Sequence, residues 1–75
     1  MTAVDVVFRY GLPPTENDLR ALAAVREVYG VRRIELDEQA RTIRVEYDAS
    51  RLSAADVASL LRRAGFDLQE QIALV

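Results

Sequence analysis

The sequence predicts a two-layer α+β sandwich with the element order βαββαβ. Segments of period two alternate with segments of helical periodicity along the 75 residues. Each half of the chain also repeats one pattern: a strand, a helix start of the form Thr/Ser-x-x-Asp, and a helix end marked by glycine and an apolar residue. Two right-handed βαβ crossovers joined by a hairpin give an antiparallel sheet of order 4-1-3-2, with both helices on one face.

The first strand is predicted over residues 3–10. Valines and aromatic residues occupy the even positions, and Asp5, Val7 and Arg9 occupy the odd ones. The even positions are therefore expected to face the helices. Two consecutive prolines follow at 13–14 and mark a loop, because proline cannot donate to a strand ladder.

The first helix is predicted over residues 16–29. Thr15 and Asp18 form a capping-box pattern at its start. Leucine, valine and tyrosine recur on one broad side of the helical wheel, ending with Val28 and Tyr29. Gly30 then stands where a left-handed residue is expected to end the helix.

The central part of the chain predicts a hairpin. Its strands are expected over residues 31–36 and 42–48, and the second of these has the clearest alternation in the sequence. The connection over 37–41 is polar and contains no Asn-Gly pair, so the sequence leaves its turn type open.

The second helix is predicted over residues 54–64. Ser53 and Asp56 repeat the capping-box pattern, and Gly65-Phe66 marks the end of the helix. Leu68, Ile72 and Leu74 then alternate weakly and predict a fourth strand. The complete arrangement is a ferredoxin-like sandwich, with residues 1–75 expected to form one domain.

Composition excludes several functions. The chain has no cysteine and no histidine, so it has no disulfide, no thiolate or imidazole metal site, and no Cys or His nucleophile. With 10 basic and 12 acidic residues and no basic run, it is not expected to bind nucleic acid. No apolar stretch approaches about 18 residues, so membrane insertion is not expected. The expected location is the cytoplasm.

Several segments resemble the heavy-metal-associated domain family. They are GVRRIELD at 30–37, IRVEYD at 43–48, Leu52-Ser53 and AGF at 64–66. The family reads roughly G-V-x-x-V-x-V-D, V-x-V-x-Y-D, and a helix ending in A-G-[YF]. The resemblance covers nearly the whole chain and implies the ferredoxin-like fold.

The metal-binding loop of that family is altered here. Family members carry G-M-x-C-x-x-C between the first strand and the first helix, where two thiolates bind Cu(I) or another soft ion. Counting back from Gly30 places this loop on residues 11–17. Gly11 is kept, Leu12 stands at the methionine position, and Pro14 and Asn17 stand at the cysteine positions. The resemblance therefore implies a member without the CxxC motif, and no cofactor is expected.

Two groups of residues offer the oxygen ligands of a hard-metal site. Residues 15–18 offer hydroxyl, amide and carboxylate oxygens, but capping of the helix accounts for Thr15 and Asp18. Asp37, Glu38 and Asp48 are explained as hairpin and loop residues. The aromatic residues Phe8, Tyr10 and Tyr47 could stack on RNA bases, as on RNA-recognition sheets. Their phase instead predicts core packing.

The strand residues that alternate with the apolar ones predict a charged surface. By alternation these residues lie on the face of the sheet that the helices leave uncovered. Such a face is either a solvated surface with weak ion pairs or a docking surface that orients a partner. The docking candidates on the face and on the last strand are Arg9, Arg33, Glu35, Arg44, Glu46, Ala73 and Val75, with Asp5 on the same face.

The function expected first is a non-enzymatic interaction module that has lost its soft-metal site and binds a protein partner. A regulatory module of the ACT type, with an amino acid bound at a dimer interface beside the Gly11-Leu12 loop, stays open as an alternative. A degenerate metal-chaperone-like domain with weak hard-metal binding stays open as well. An acylphosphatase-like enzyme is disfavoured, because Arg9 and Asn17 alone do not make its arginine cradle. The apolar fourth strand, expected at a sheet edge, also predicts a homodimer.

Overall fold

The computed structural model describes residues 2–74, without the side chain of Leu74. Four strands form one sheet of order β2-β3-β1-β4, in which every neighbouring pair is antiparallel. This confirms the predicted ferredoxin-like topology. The elements are β1 (Ala3–Tyr10), α1 (Glu16–Arg26), β2 (Val31–Asp37), β3 (Thr42–Asp48), α2 (Ala54–Arg63) and β4 (Leu68–Leu74).

The core lies between the helices and one face of the sheet. In β1 the even-numbered residues are buried from Val6 onward. In β3 the buried residues are the odd-numbered ones, Ile43, Val45 and Tyr47. From the helix layer, Leu22, Val25, Val57, Ala58 and Leu61 are buried against them. The two central strands thus contribute the most apolar surface, as their clear alternation predicts.

Both helices begin as the sequence predicts. At α1 the amide of Asp18 donates to Thr15 Oγ1 at 3.2 Å, and the amide of Thr15 donates to Asp18 Oδ2 at 2.8 Å. Ser53 and Asp56 repeat the exchange at α2, with distances of 2.9 and 3.1 Å. These reciprocal bonds satisfy amide groups that a helix start would otherwise leave without a partner.

The end of α2 is also as predicted. Gly65 has a φ of +108°. Its amide donates to the carbonyl of Arg62 at 3.0 Å, and the amide of Phe66 donates to the carbonyl of Leu61 at 3.1 Å. This is a Schellman motif, which requires a left-handed residue at its turn.

The predicted end of α1 is wrong. The helix ends at Arg26 rather than at residue 29, and Gly30 (φ +104°) belongs to a separate turn into β2. The carbonyl of Gly30 accepts the amide of Asp48 at 2.7 Å, so this segment already extends the ladder beside β3 and cannot remain helical. Tyr29 consequently lies outside the core, 73% exposed, with the Arg51 guanidinium carbon 4.2 Å from its ring centroid.

The fourth strand departs from simple alternation. Val7 pairs with Ala73, whereas the next residue of β1, Phe8, pairs with Gln71. This shift leaves Ile72 between the two paired positions, with 44% of its surface exposed. A second shift lies between Phe8 and Tyr10, which pairs with the buried Leu68. The predicted fourth strand is therefore confirmed, but Ile72 does not face the core as Leu68 does, because each shift moves the following residues relative to the core.

We expect alanine substitutions at the two glycine turns to lower the free energy of unfolding by different amounts. Both glycines have a positive φ, so Gly30→Ala should lower the free energy of unfolding by about 1–2 kcal/mol. A Cβ at position 30 would lie 3.1 Å from the mobile end of Leu52, whereas a Cβ at position 65 would overlap the carboxylate of Asp18. Gly65→Ala should cost about 1 kcal/mol more than Gly30→Ala. Urea unfolding of both variants measures the difference, and equal losses would contradict the contact with Asp18.

Candidate functional site

The loop at the position of the family's metal site is closed by the protein itself. The amide of Gly11 donates to the carbonyl of Asp67 at 2.9 Å, and the amide of Leu12 donates to Asp67 Oδ2 at 3.1 Å. From the other side, Arg41 Nη1 donates to the carbonyl of Gly11 at 3.1 Å. The loop therefore makes its polar contacts within the chain, while the Leu12 side chain points outward and is 72% exposed.

The residues of this loop do not suit a soft metal. Leu12, Pro14 and Asn17 replace a thioether and two thiolates with a hydrocarbon, a ring and an amide. The carboxylate of Asp18 is held in the capping box by the amide of Thr15. Across residues 2–74, no three Asp, Glu, His or Cys side chains lie close enough to hold a metal ion.

Sequence reasoning did not single out Asp67 or Arg41. Arg41 stands in the β2–β3 hairpin with a φ of +54°, and the Tyr10 amide donates to its carbonyl at 2.9 Å. In the same hairpin, Asp37 Oδ1 accepts the amide of Ala40 at 3.1 Å. Contacts between residues 30 to 56 positions apart leave no periodic signal in the sequence. Only the proximity of Asp67 to the Gly65-Phe66 helix end could have drawn attention to it.

The acidic residues of the β2–β3 region are not brought together. Asp37 and Glu38 lie at the hairpin, whereas Asp48 lies at the other end of β3. Asp48 is 8% exposed, and its Oδ1 accepts the hydroxyl of Ser50 at 2.6 Å and the amide of Ser50 at 3.0 Å. The hydroxyl first, and then the amide, lower the pKa of Asp48 below its ordinary value. Asp48 thus organises the turn after β3.

The aromatic residues belong to the core, as predicted. Phe8, Tyr10 and Tyr47 are each at most 5% exposed. The rings of Tyr10 and Phe66 meet edge to face, with centroids 5.9 Å apart and an interplanar angle of 83°. Burial raises the pKa of Tyr10 and of Tyr47 above the ordinary tyrosine value. These rings are therefore not available on the open face for stacking on bases.

The open face of the sheet carries the predicted charged residues. Three ion pairs lie on it: Arg9–Glu70 at 3.1 Å, Arg33–Glu35 at 3.3 Å and Arg44–Asp5 at 3.6 Å. The arginine side chains remain 47–69% exposed, so each pair contributes little to stability. The face is thus charged and solvated in the free chain.

Glu46 differs from the paired charged residues of this face in its surroundings. It is half-buried, and its neighbours across the strands are Asp5 on β1 and Arg33 on β2. Asp5 is a like charge directly opposite, and the Arg33 guanidinium is turned to Glu35. No salt bridge within residues 2–74 reaches the Glu46 carboxylate. Like charges directly opposite on neighbouring strands are unfavourable.

A groove of about 690 Å³ adjoins this part of the face and runs toward the hairpin. Its walls include Val7, Thr42 and Arg44 on the central strands, and Glu35, Asp37 and Glu38 on β2 and the hairpin. A smaller depression of about 70 Å³ lies among the charges around Glu46. The open face is thus contoured and is more acidic at its hairpin end.

Of the two remaining docking candidates, Ala73 lies on β4. Ala73 is half-buried and pairs with Val7, at the edge strand expected from the sequence. Val75 lies outside the described residues. Within the described chain, neither helix is long and apolar enough to span a membrane.

Known structures share this fold. Oxidized MerP from Ralstonia metallidurans CH34 superposes with a TM-score of 0.73 at 16% identity, over 91% of this chain and 96% of that one. The N-terminal domain of a potential copper-translocating P-type ATPase from Bacillus subtilis, in its Cu(I)-loaded state, gives a TM-score of 0.73 at 19% identity, over 91% and 86% of the chains. The N-terminal domain of ZntA gives 0.68 at 20% identity, over 96% of each chain.

These likenesses confirm the resemblance to heavy-metal-associated domains at the level of the fold. The sequence itself matches no protein-family model and no curated protein. The chain therefore combines the fold of metal-binding domains with a loop that holds none of their sulfur ligands.

We expect the Ser50 hydroxyl to stabilise the fold in a pH-dependent manner. Because the folded pKa of Asp48 is depressed, its stabilisation is present above the unfolded value of about 3.9 and is lost as pH falls through the folded value. Ser50→Ala should therefore be less stable than wild type at pH 7, and the difference should shrink below about pH 4. Urea unfolding between pH 7 and 3 measures this difference. Ser59→Ala, at an exposed serine of α2, should show an offset that does not change with pH.

We expect the affinity for Cu(I) to depend on the residues at positions 14 and 17 of the loop. The wild-type chain should show no sub-micromolar affinity for Cu(I), because it has no thiolate. The double variant Pro14→Cys/Asn17→Cys should acquire such affinity if these positions match the family's ligands. Competition with a chromogenic Cu(I) chelator measures both, and Ala49→Cys/Asn17→Cys, with one thiol moved off the loop, is the matched control. Tight binding by wild type would contradict the loss of the site, and failure of the loop variant would contradict the alignment.

Proposed function

We propose that this chain is a non-enzymatic interaction module that binds a protein partner through the open face of its sheet. The observation that carries the proposal is Glu46, a half-buried residue whose strand neighbour is Asp5 and whose carboxylate has no ion pair within the described residues. A basic side chain of a partner would give this carboxylate the ion pair it lacks, since the Asp5 carboxylate is already paired with Arg44. The partner is therefore expected to present arginine or lysine to this point.

The surrounding charges support a defined orientation for such a partner. Arg33 and Arg44 flank the carboxylates, and all of these residues line the depression around Glu46. A pattern of both signs favours one relative orientation and penalises others, because like charges repel. The acidic groove toward Glu38 extends the same preference for a basic segment.

A non-enzymatic role is consistent with where the pKa shifts occur. Displaced pKa values tend to mark functional groups. Here they fall on Tyr10 and Tyr47, which are buried in the core, and on Asp48, which is bound by Ser50. The largest cause of each pKa shift is burial in the core or a hydrogen bond from Ser50. The cytoplasmic location expected from the sequence remains part of this proposal.

An amino-acid ligand at the first loop, as in ACT modules, has less support. Such a ligand would need main-chain groups of the loop to bind its charged ends. The amides of Gly11 and Leu12 already donate to Asp67, and the carbonyl of Gly11 accepts from Arg41. Stabilisation of the chain by a free amino acid in a thermal-shift screen would favour the ACT alternative instead.

We expect Glu46→Gln to weaken partner binding about tenfold while it changes the free energy of unfolding by less than about 0.5 kcal/mol. Glu27→Gln is the matched control, since Glu27 is an exposed carboxylate at the end of α1, in the helix layer and not on the open face. Immobilised wild type and variants would be compared for proteins captured from an extract of the source organism. The affinity for the captured protein would then be measured by calorimetry.

The location of the surface is tested by a pair of charge reversals. Glu46→Arg, on the open face, should abolish or weaken capture because it repels a basic partner, whereas Glu27→Arg, exposed at the end of α1, should not. Circular dichroism checks that both variants fold. Capture that is lost equally with both variants, or retained with Glu46→Gln and Glu46→Arg, would contradict the open face as the docking surface.

A further inference from the structure

We propose that β4 pairs with β4 of a second copy of this chain, so that two sheets join edge to edge. This inference goes beyond the partner proposed for the open face, because it concerns a different surface. The chemistry is main-chain hydrogen bonding between antiparallel strands, supported by an exposed apolar side chain at the centre of the contact.

The first observation is that β4 is an unguarded edge. Its only strand neighbour within the described residues is β1, so one row of its amides and carbonyls has no strand partner. All seven residues Leu68–Leu74 are extended. The strand contains one charged residue, Glu70, and its carboxylate is already paired with Arg9 at 3.1 Å. Natural edges are usually blunted by charge, proline or brevity.

The opposite edge provides the contrast. β2 has four charged residues among seven: Arg32, Arg33, Glu35 and Asp37. Such residues discourage the addition of a strand, because a newly added strand would bury or oppose them. The two edges of one sheet are therefore protected very differently. Only the β4 edge presents a largely uncharged strand to another chain.

The second observation is Ile72, which lies at a register shift of β4 and is 44% exposed. A two-fold axis through Ile72 would place this side chain against the same residue of the second copy and remove both from water. Gln71 would then come opposite Ala73 of the second copy. Glu70 would lie about 13 Å along the strands from its symmetry mate, beyond a Debye length at physiological salt. The strand is therefore complementary to itself in charge and in apolar contact.

The symmetry of this contact has a structural consequence. Two antiparallel strands related by a two-fold axis keep the same faces of their sheets together, because the axis is perpendicular to the sheet. The dimer would thus have one continuous sheet of eight strands, with all helices on one side. Both open faces would lie side by side on the other side, including both copies of Glu46.

Single-cysteine variants test the contact, because the chain has no native cysteine and each introduced thiol is unique. Cβ atoms of directly opposed residues on antiparallel strands are about 4.5–5.5 Å apart, within reach of a disulfide after small adjustments. Ile72→Cys should form disulfide-linked dimers in a glutathione buffer at least about tenfold more readily than Leu12→Cys. Leu12 is the matched control, because it is more exposed but lies on the loop after β1.

A second measurement uses the chain without cysteine. Light scattering should show wild type moving from 8.4 kDa toward twice that mass as its concentration rises. Ile72→Lys places two like charges at the axis and should weaken the dimer at least about tenfold, with unchanged circular dichroism. A wild type that remains at 8.4 kDa at millimolar concentration, or equal cross-linking at positions 72 and 12, would overturn the proposal.

The same variants separate this proposal from the one for the open face. Glu46→Gln should leave the dimer intact, because Glu46 lies on β3 and not at the edge. Ile72→Lys should still capture a partner on the open face. Either function can therefore fail while the other is retained.

Discussion

The two helices of the described chain, of 11 and 10 residues, cover only one face of a four-stranded sheet. This constraint divides every strand into a buried and an exposed set of side chains. The buried set, centred on Val6, Ile43 and Val45, supplies the hydrophobic stabilisation of a small domain. Within residues 2–74 no layer covers the exposed set, so in this structure these side chains meet water. The candidate surface is therefore a direct result of the one-sided placement of the helices.

The loop after β1 is held by contacts within the chain. Asp67, just before β4, and Arg41, in the hairpin, both bind it. Both contacts use main-chain groups of Gly11 and Leu12, so they fix the loop whatever its side chains are. This arrangement links three separate parts of the chain at one end of the sandwich. It also leaves Leu12 free to vary, because the side chain is exposed.

The two edge strands of the sheet differ in the charge that they carry. β2 carries charge of both signs along its length, whereas β4 carries a single charge that is already paired. The register shifts in β4 also expose an apolar side chain at this edge. Ile72 lies between two paired positions and is 44% exposed, instead of facing the core. A surface of this kind arises from the pairing of β4 with β1 and not from hydrophobicity alone.

The sequence by itself determined the element order, both helix starts and the sheet order, because local capping and the period of apolar residues act over a few positions. It also determined the absence of thiolate and imidazole ligands, which is a matter of composition. The tertiary structure alone decided where α1 ends, since the bond from Asp48 to Gly30 draws that segment into the sheet. It likewise decided the closure of the first loop by Asp67 and Arg41, the isolation of Glu46 and the exposure of Ile72. Each of these depends on strand register or on contacts between distant residues, and neither leaves a periodic trace in the sequence.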